Sequence, residues 1–358
     1  MTNKNSTYKR LGDYIREVDV RNKDLRCTNL LGLSIAKKFI PSIANMVGTD
    51  LKSYKIVKNS QFAYVPVTSR NGEKITVALY DKKEDCVISQ AYTSFEITDH
   101  NALMPEYLMM WFRRPEFDRY ARFHSHGSAR EVFDWEEMCD VMLPVPSLEE
   151  QRRIVGRYKA IETRISNNKQ TIAKLEEAAQ ALYRKMFVDD VDVENLPDGW
   201  RMGTLGEVAE ITSGKTCPKK TESRTDEYCF PVAGATGIIG WSNEHNQTGP
   251  FMTTGRVGTL GVVNRYYDKV WTSDNVLVLN SQYFEFTYQI LKSTNYEDIV
   301  KGGVQALITQ TDLKNITIVI ANEKFLQSYE QDAGIIQDQI KFIIKENEIL
   351  TEMLSLMA

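Results

Sequence analysis

The chain contains the stretch Gly127-Ser-Ala-Arg-Glu-Val-Phe-Asp-Trp-Glu-Glu-Met138, and 175 residues later it contains Gly302-Gly-Val-Gln-Ala-Leu-Ile-Thr-Gln-Thr-Asp-Leu313. The two stretches share few identities but the same order of features: a glycine-led turn, apolar residues and a polar cluster. Each runs on into a short β-forming run, Val141-Met-Leu-Pro-Val145 in the first case and Ile316-Thr-Ile-Val-Ile320 in the second. A pattern that recurs at a fixed offset indicates a duplicated unit.

A second match lies near the front of each half. Leu11-Gly12-Asp13 returns 194 residues later as Leu205-Gly206-Glu207, so the first half carries about 19 extra residues. Because both matches occur in the same order, they favour duplication over coincidence. The length of 358 residues also exceeds that of one ordinary hydrophobic core.

A long helical pattern follows each β-forming run, with apolar residues that recur in alternating steps of four and three. The first seam is Ile161, Ile165, Asn168, Ile172, Leu175, Ala179, Leu182 and Met186, and the second is Ile336, Ile340, Ile343, Asn347, Leu350, Leu354 and Met357. A sustained period of 3.5 residues is typical of a coiled coil. Two amphipathic helices, each packed on its own domain, are the alternative.

One asparagine interrupts each seam, and these two residues set the expected register. A buried asparagine that faces an aliphatic side chain leaves its amide unpaired, at a cost of about 1–3 kcal/mol. In an antiparallel pair we therefore expect Asn168 to face Asn347. That register places Ile172 opposite Ile343, Leu175 opposite Ile340, Ile165 opposite Leu350 and Ile161 opposite Leu354.

The remaining sequence mixes strand-like and helix-like runs. The β-forming runs are Phe62 to Val67, Ile75 to Tyr80, Gly261 to Tyr267 and Asn275 to Leu279, and the helical runs are Pro105 to Tyr120 and Glu285 to Val300. The predicted fold class is α+β, with two domains separated and joined by two long helices that form an antiparallel coiled coil in a pseudo-twofold repeat. We place the domains at 1–145 and 196–320, and the helical segments at 146–195 and 321–358.

The chain lacks the sequence patterns of common catalytic and metal sites. Gly214-Lys215-Thr216 has the tail of a phosphate-binding loop, but Ala209 stands where the first glycine of that loop belongs. No Pro-Pro dipeptide of an amino-methyltransferase loop, no H-E-x-x-H and no G-x-S-x-G occurs. The five cysteines are scattered, without a C-x₂-C pair. We therefore predict no catalytic residue and no metal ligand.

Basic and aromatic residues cluster in the first half, although the formal net charge of −4 argues against a simple electrostatic DNA clamp. Between Arg113 and Arg130 the chain has five arginines against two acidic residues. Guanidinium groups suit phosphates and the edge of guanine, and a glycine turn lets the backbone approach a groove. The predicted DNA contacts are Arg113, Arg114, Arg122, His124, His126, Ser128 and Arg130.

The loop Lys301-Gly-Gly-Val-Gln305 occupies the corresponding place in the second half. A glutamine there can read adenine through a bidentate amide contact, and nearby lysines suit phosphates. The predicted contacts of this half are Lys215, Lys219, Lys220, Arg256, Lys301 and Gln305. For each residue alone an ordinary surface position is the alternative, and their recurrence at matching places favours the DNA interpretation.

Several of these stretches resemble the specificity subunits of type I restriction–modification enzymes. The run from Val141 to Val155 resembles the entry to the first spacer helix of that family. Leu196-Pro-Asp-Gly-Trp200, with Leu205 to Lys215, resembles the start of the second target-recognition domain, and Thr272 to Leu279 and Gly302 to Ile308 are similar to its body. The resemblance covers nearly the whole chain.

The resemblance implies a non-catalytic subunit with two target-recognition domains, each reading one half of a split, double-stranded DNA site. Two conserved helices would pack antiparallel and fix the spacing between the half-sites. Two copies of a methyltransferase subunit would bind this scaffold and methylate adenine from S-adenosylmethionine. A restriction subunit would use ATP and Mg²⁺ to translocate and cut DNA. This chain itself would hold no cofactor.

The apolar runs are too short for a membrane span, and the N-terminal residues show no signal peptide, so we expect a cytoplasmic protein without a membrane partner. A coiled-coil assembly scaffold that binds no DNA is the alternative function. Strong salt dependence of DNA binding would discriminate, because phosphate neutralisation releases counterions and a protein-only scaffold has no such contribution.

Overall fold

The computed structural model describes residues 8–42, 50–69, 71–127, 130–257, 260–299 and 307–357. The chain divides into two compact units, with residues 1–167 and 347–358 in unit 1 and residues 168–346 in unit 2. The predicted domain boundaries remain predictions. Among the described residues, no helix combines the length and apolar character needed to cross a membrane.

A four-stranded antiparallel sheet forms the centre of unit 1, in the order β2, β9, β6 and β7. The strands of the unit are β1 (Tyr8–Arg10), β2 (Ile15–Val18), β3 (Leu31–Ser34), β4 (Lys38–Pro41), β5 (Lys55–Val57), β6 (Phe62–Tyr64), β7 (Val77–Leu79), β8 (Cys86–Ile88), β9 (Thr93–Ile97) and β10 (Met142–Pro144). Strand β1 pairs with β10, β3 with β4 and β5 with β8, each pair antiparallel.

The helices of unit 1 cover one side of a core rich in aromatic residues. They are α1 (Pro105–Phe112), α2 (Pro115–Phe123), α3 (Trp135–Cys139) and the first part of α4 (Leu148–Arg184), which continues into a π-helical turn at Lys185–Asp189. The single helix predicted over 105–120 is divided. Pro115 starts α2 at the first helical turn, where the missing N–H costs nothing, and it disfavours helical backbone at Arg114.

Unit 2 repeats the frame of unit 1. Its elements are β11 (Arg201–Thr204), α5 (Leu205–Val208), β12 (Glu210–Ser213), β13 (Phe230–Gly234), β14 (Gly237–Ser242), β15 (Phe251–Gly255), β16 (Val263–Tyr266), β17 (Trp271–Thr272), β18 (Val276–Asn280), α6 (Phe284–Ser293), α7 (Gln310–Lys314), β19 (Thr317–Ile320) and α8 (Glu323–Met357). The order β12, β18, β15 and β16 matches β2, β9, β6 and β7, and β11 pairs with β19 as β1 pairs with β10. The predicted duplication is confirmed.

A close glycine contact recurs in both units and closes each frame. A Cβ on Gly12 would lie 2.8 Å from Cβ of Cys139, and a Cβ on Gly206 would lie 3.0 Å from Cβ of Lys314. In unit 1 the backbone N–H of Leu11 donates to Val141, and the same bond recurs in unit 2. The turn that begins each domain therefore sits directly on the short helix α3 or α7.

The heptad seams of α4 and α8 are partly buried, and they pack within each unit. In unit 1 the hydrophobic core that contains Val155 and Tyr158 also takes in Leu354 and Met357 from the end of α8. In unit 2 the ring of Tyr183, near the end of α4, lies 6.4 Å from Tyr329, near the start of α8. These contacts place opposite ends of the two helices together, as an antiparallel pair requires.

The asparagine in the first seam is buried and hydrogen-bonded. Asn168 is 5% exposed, and its side-chain amide donates to Glu346 at 2.7 Å. Glu346 immediately precedes Asn347, the residue that the sequence places opposite Asn168. The predicted register, including the pairs Ile172–Ile343 and Ile165–Leu350, remains a prediction.

We expect Gly12→Ala to lower the free energy of unfolding by about 1–3 kcal/mol, because the added methyl group overpacks the contact with Cys139. Gly156→Ala, on α4 with no atom within 4 Å of the new methyl group, is the control. It should raise the free energy of unfolding by about 0.5–1 kcal/mol through helix propensity. Urea unfolding followed by circular dichroism measures both. Equal midpoints for the two variants would contradict the close approach.

Candidate nucleic-acid interface

The predicted DNA loop of unit 1 connects α2 to α3 and is closed by a backbone pair. The N–H of His126 donates to Val132 at 3.0 Å, and the N–H of Val132 donates back at 2.9 Å. Gly127 has φ +134°, a left-handed conformation that favours glycine, and a Cβ there would lie 2.2 Å from the carbonyl oxygen of Arg130. The predicted contact Ser128 lies outside the described residues.

The two arginines beside this loop differ in whether their side chains pair with another residue of the protein. Arg130 is exposed and, with the residues that the structure describes, forms no ion pair or hydrogen bond through its side chain. Arg122 forms an ion pair with Glu131 across the loop. Among the described residues, Arg122 therefore has a carboxylate partner and Arg130 has none, and contact between either arginine and DNA remains a prediction.

Arg113 and Arg114 make contacts within the domain. Nη1 of Arg113 donates to the hydroxyl of Tyr158 at 3.2 Å and to Glu162 at 3.1 Å, which ties the end of α1 to α4. The guanidinium of Arg114 lies 4.6 Å from the ring centroid of Trp111. These positions give both arginines a packing role, and contact between them and DNA remains a prediction.

His124 and His126 both face the carboxylate of Glu137. Nδ1 of His124 lies 2.8 Å from one oxygen of Glu137, and Nε2 of His126 lies 3.5 Å from the other. Glu137 is on α3, so this group joins the loop to the helix against which Gly12 packs. The sequence predicts both histidines as DNA contacts but gives no sign of their shared carboxylate, which stands eleven residues beyond His126.

In unit 2 the strand end that carries Arg256 flanks the corresponding loop. Lys301 and Gln305 themselves lie outside the described residues. Val257 pairs with Leu307, as Val67 pairs with Val132 in unit 1. The N–H of Arg256 donates to Asn275 at 2.9 Å, and its carbonyl accepts from Ile308 at 3.0 Å. The backbone of Arg256 is thus held at the base of the predicted loop.

The lysine-rich segment before β13 lies beside aromatic rings. Nζ of Lys219 is 5.1 Å from the ring centroid of Tyr228, and the interaction with Tyr228 raises the pKa of this lysine. The guanidinium of Arg224 lies 5.4 Å from the ring of Trp241. Lys215 and Lys220 are exposed. Cations at such aromatic faces remain available to phosphates.

Each unit also contains a side chain of a long helix that caps a domain helix, which the sequence does not predict. Gln151 on α4 is fully buried, and its carbonyl oxygen accepts the N–H of Met104, at the start of α1, at 2.8 Å. Glu330 on α8 accepts the N–H groups of Glu285 and Phe286, at the start of α6, at 3.0 and 2.8 Å. The domain helices are therefore oriented by the long helices.

A buried arginine adds a second link between domain and helix in unit 2. Arg265 on β16 contacts Glu176 of α4 at 2.6 Å and Glu285 of α6 at 2.9 Å. Its guanidinium lies 3.8 Å from the ring centroid of Tyr288. Burial raises the pKa of Glu285 to about 7 despite the attraction of Arg265, and burial also raises the pKa of Glu330.

The two units define a class of protein in which a duplicated α+β domain packs against long heptad helices. The chain belongs to the family described as type I restriction modification DNA specificity domain, whose model matches residues 34–177 and 197–353. The predicted family is therefore confirmed.

Two curated relatives are specificity subunits. The chain is 26% identical over 136 residues to the type I restriction enzyme MjaIX specificity subunit of Methanocaldococcus jannaschii, which covers 35% of this chain and 32% of that protein. It is 24% identical over 235 residues to the HindI specificity subunit of Haemophilus influenzae, which covers 61% and 50%. The matches thus span about a third and a half of the lengths of these relatives.

Solved structures share the fold. The S subunit of a type I restriction–modification system from M. genitalium matches with a TM-score of 0.57 at 14% identity, over 100% of this chain and 96% of that one. A chain from a structure that concerns complex assembly and conformational transition of the type I R-M system matches with a TM-score of 0.51 at 16% identity, over 98% and 96%. The predicted α+β repeat with long helices is confirmed.

The raised pKa values in unit 2 predict a pH-dependent stability. Because folded Glu285 holds its proton up to about pH 7, the folded state binds more protons than the unfolded state above about pH 4.5. The free energy of unfolding contributed by this group should therefore fall as pH rises towards 7, by about 2–3 kcal/mol. Urea unfolding at pH 5, 6, 7 and 8 measures the slope.

Glu285→Gln should flatten that slope, because glutamine cannot ionise. Glu177→Gln, an exposed position on α4, controls for the loss of one carboxylate and should leave the slope as it is. The same pH dependence in the wild type and in Glu285→Gln would contradict a proton held at this site.

Proposed function

We propose that the chain reads a split double-stranded DNA site, one half with each unit, as the non-catalytic specificity subunit of a type I restriction–modification complex. The observation that carries this proposal is the recurrence of the same backbone bridge next to two equivalent sheets, at the place where the sequence predicts the DNA-contacting loop of each half. Val67–Val132 and Val257–Leu307 are the equivalent backbone pairs. Arg130 lies two residues before Val132, and Arg256 lies next to Val257, on the other member of its pair.

Two recognition surfaces of different chemistry suit an asymmetric site. The loop of unit 1 offers Arg130 and two histidines, and the corresponding loop sequence of unit 2 offers glycines and Gln305. Arginine matches the O6 and N7 acceptors of guanine, and glutamine matches the N6 and N7 groups of adenine. Lys215, Lys219 and Lys220 are assigned to phosphates, which set orientation without reading sequence. In this proposal the length of α4 and α8 determines the unread spacer.

We assign the chemistry of the complex to other subunits. S-adenosylmethionine would bind to two copies of a methyltransferase subunit that methylate adenine, and ATP and Mg²⁺ would bind to a restriction subunit that translocates and cuts DNA. The family supports this assignment, because its name describes a domain for DNA specificity. The cytoplasm, where the cell's DNA lies, is the compartment that we propose.

An exposed apolar stripe on α8 is the surface that we assign to the methyltransferase subunit. Ile335, Phe342, Ile349 and Leu356 recur every seven residues and are 66%, 67%, 53% and 81% exposed. With 3.6 residues per turn, this stripe lies on the side of α8 opposite the buried seam at Ala333 and Ile340. An apolar heptad stripe is more stable when it packs against a partner helix than when it is exposed to water.

Phe342→Glu should abolish co-purification with the methyltransferase subunit, because it places a charge in the centre of the stripe. Phe342→Leu keeps the side chain apolar and should retain the complex. Size-exclusion chromatography of the co-expressed proteins measures both, and circular dichroism confirms that each variant keeps its helix content. A Phe342→Glu variant that still forms the complex would contradict the assignment of this stripe to the methyltransferase subunit.

The proposed reading function is tested by a genome-wide map of methylated adenines in cells that express the chain with its neighbouring methyltransferase subunit. We expect a split motif that is absent without the chain. Arg130→Ala should relax the bases of one half of that motif, because loss of a bidentate base contact costs about 1–3 kcal/mol. Arg152→Ala, an exposed arginine on α4, should leave the motif unchanged.

The outcomes separate the two candidate functions. If Arg130→Ala relaxed both halves equally, one-half reading by each unit would be wrong. If no motif depended on the chain while the two proteins remained associated, the chain would be an assembly scaffold that does not select DNA.

A further inference from the structure

Three side chains that commonly bind metals converge at the loop of unit 1. Nδ1 of His124, Nε2 of His126 and a carboxylate oxygen of Glu137 all lie within 4.8 Å of one another. Among the described residues, this is the one group of three or more histidine, cysteine or acidic side chains with such a geometry. His124 lies at the end of α2, His126 lies in the loop and Glu137 lies on α3, so only the fold brings the three residues together.

Hydrogen bonds fix the backbone at each of the three residues. His124 ends α2, where its N–H donates to Tyr120 at 3.0 Å, and its ring stacks on Tyr120 with centroids 4.2 Å apart. The two backbone bonds to Val132 hold His126. The N–H of Glu137 donates to Asp134, the N-cap of α3, at 3.0 Å. Because the ligand atoms are already gathered, binding an ion would cost little ordering.

The ligand set specifies the class of ion. Two imidazole nitrogens and one carboxylate oxygen are typical of Zn²⁺ and related divalent transition metals, and three protein ligands leave one position of a tetrahedral site for water or another ligand. The side chain of His126 is 71% exposed, so an ion could enter from solvent. Zn²⁺ would bind the two imidazoles in their neutral form, together with the ionised carboxylate.

We propose that His124, His126 and Glu137 bind one divalent transition-metal ion, of the Zn²⁺ class, which joins the loop of unit 1 to α3. The ion changes the charge of the group from −1 to +1 beside Arg122 and Arg130. A positive group at this place strengthens attraction to phosphate and keeps Arg130 at a fixed distance from α3. The consequence for DNA rests on the proposed function, whereas metal binding itself does not.

The test is calorimetric titration of Zn²⁺ into the full-length chain, or its complex with the methyltransferase subunit, after removal of metal with a chelator. We expect one equivalent of Zn²⁺ with a dissociation constant in the micromolar range or below. His126→Ala and Glu137→Gln should each weaken binding by at least about tenfold. His245→Ala, a histidine of unit 2 outside the group, should bind as the wild type does.

Spectroscopy and stability give independent readouts. Co²⁺ in place of Zn²⁺ should show the visible absorption of a tetrahedral site, and Glu137→Gln should remove it. Zn²⁺ should raise the midpoint of thermal unfolding in the wild type but not in His126→Ala. Since His126 is exposed, its replacement by alanine leaves the core intact, and circular dichroism checks this. Binding that none of these variants weakens, or no saturable binding by the wild type, would overturn the proposal.

The methylation map keeps this proposal separate from the reading function. If Zn²⁺ does not bind but the map still shows a motif that depends on the chain, the metal proposal fails and the reading function stands. If Zn²⁺ binds as expected and no motif depends on the chain, the metal site stands and the reading function fails.

Discussion

The structure depends on burial of two apolar seams that are too narrow to pack on a sheet. From Tyr158 to Leu175 of α4 the residues that are not exposed follow steps of three and four, and the residues between them are exposed. Only a second helix of the same period can cover such a seam. Each unit therefore contains the start of one long helix and the end of the other. Tyr158 of α4 shares a core with Leu354 of α8 in unit 1, and Tyr183 of α4 packs near Tyr329 of α8 in unit 2.

The constant frame and the variable loop are separated within each unit. The frame contains close contacts in both units, Gly12 against Cys139 and Gly206 against Lys314. The loop sequence before Val132 carries arginine and histidines, and the loop sequence before Leu307 carries glycines and a glutamine. A rigid frame can present different side chains at the same place, and this is the property that reading two different half-sites requires.

The arginines of this protein occupy two kinds of position, buried and exposed, which the net charge does not distinguish. Arg265 is buried between Glu176 and Glu285 and links sheet to helix, whereas Arg130 is exposed beside the loop. Removing a buried partner would leave an uncompensated charge, while removing an exposed arginine leaves the fold intact. A total of −4 is therefore compatible with local positive surface, because many carboxylates face solvent on the long helices or pair within a domain.

The sequence by itself determined the duplication, the two heptad helices and the family, because each is written in offsets and periods along the chain. It also located the loop of unit 1, since a glycine turn is local. Tertiary structure decided which cations are available: Arg113 meets Glu162, a residue 49 positions away, and Arg130 does not meet a partner among the described residues. It also gathered His124, His126 and Glu137 from three elements. Contacts between distant residues follow from packing, and no spacing in the sequence encodes them.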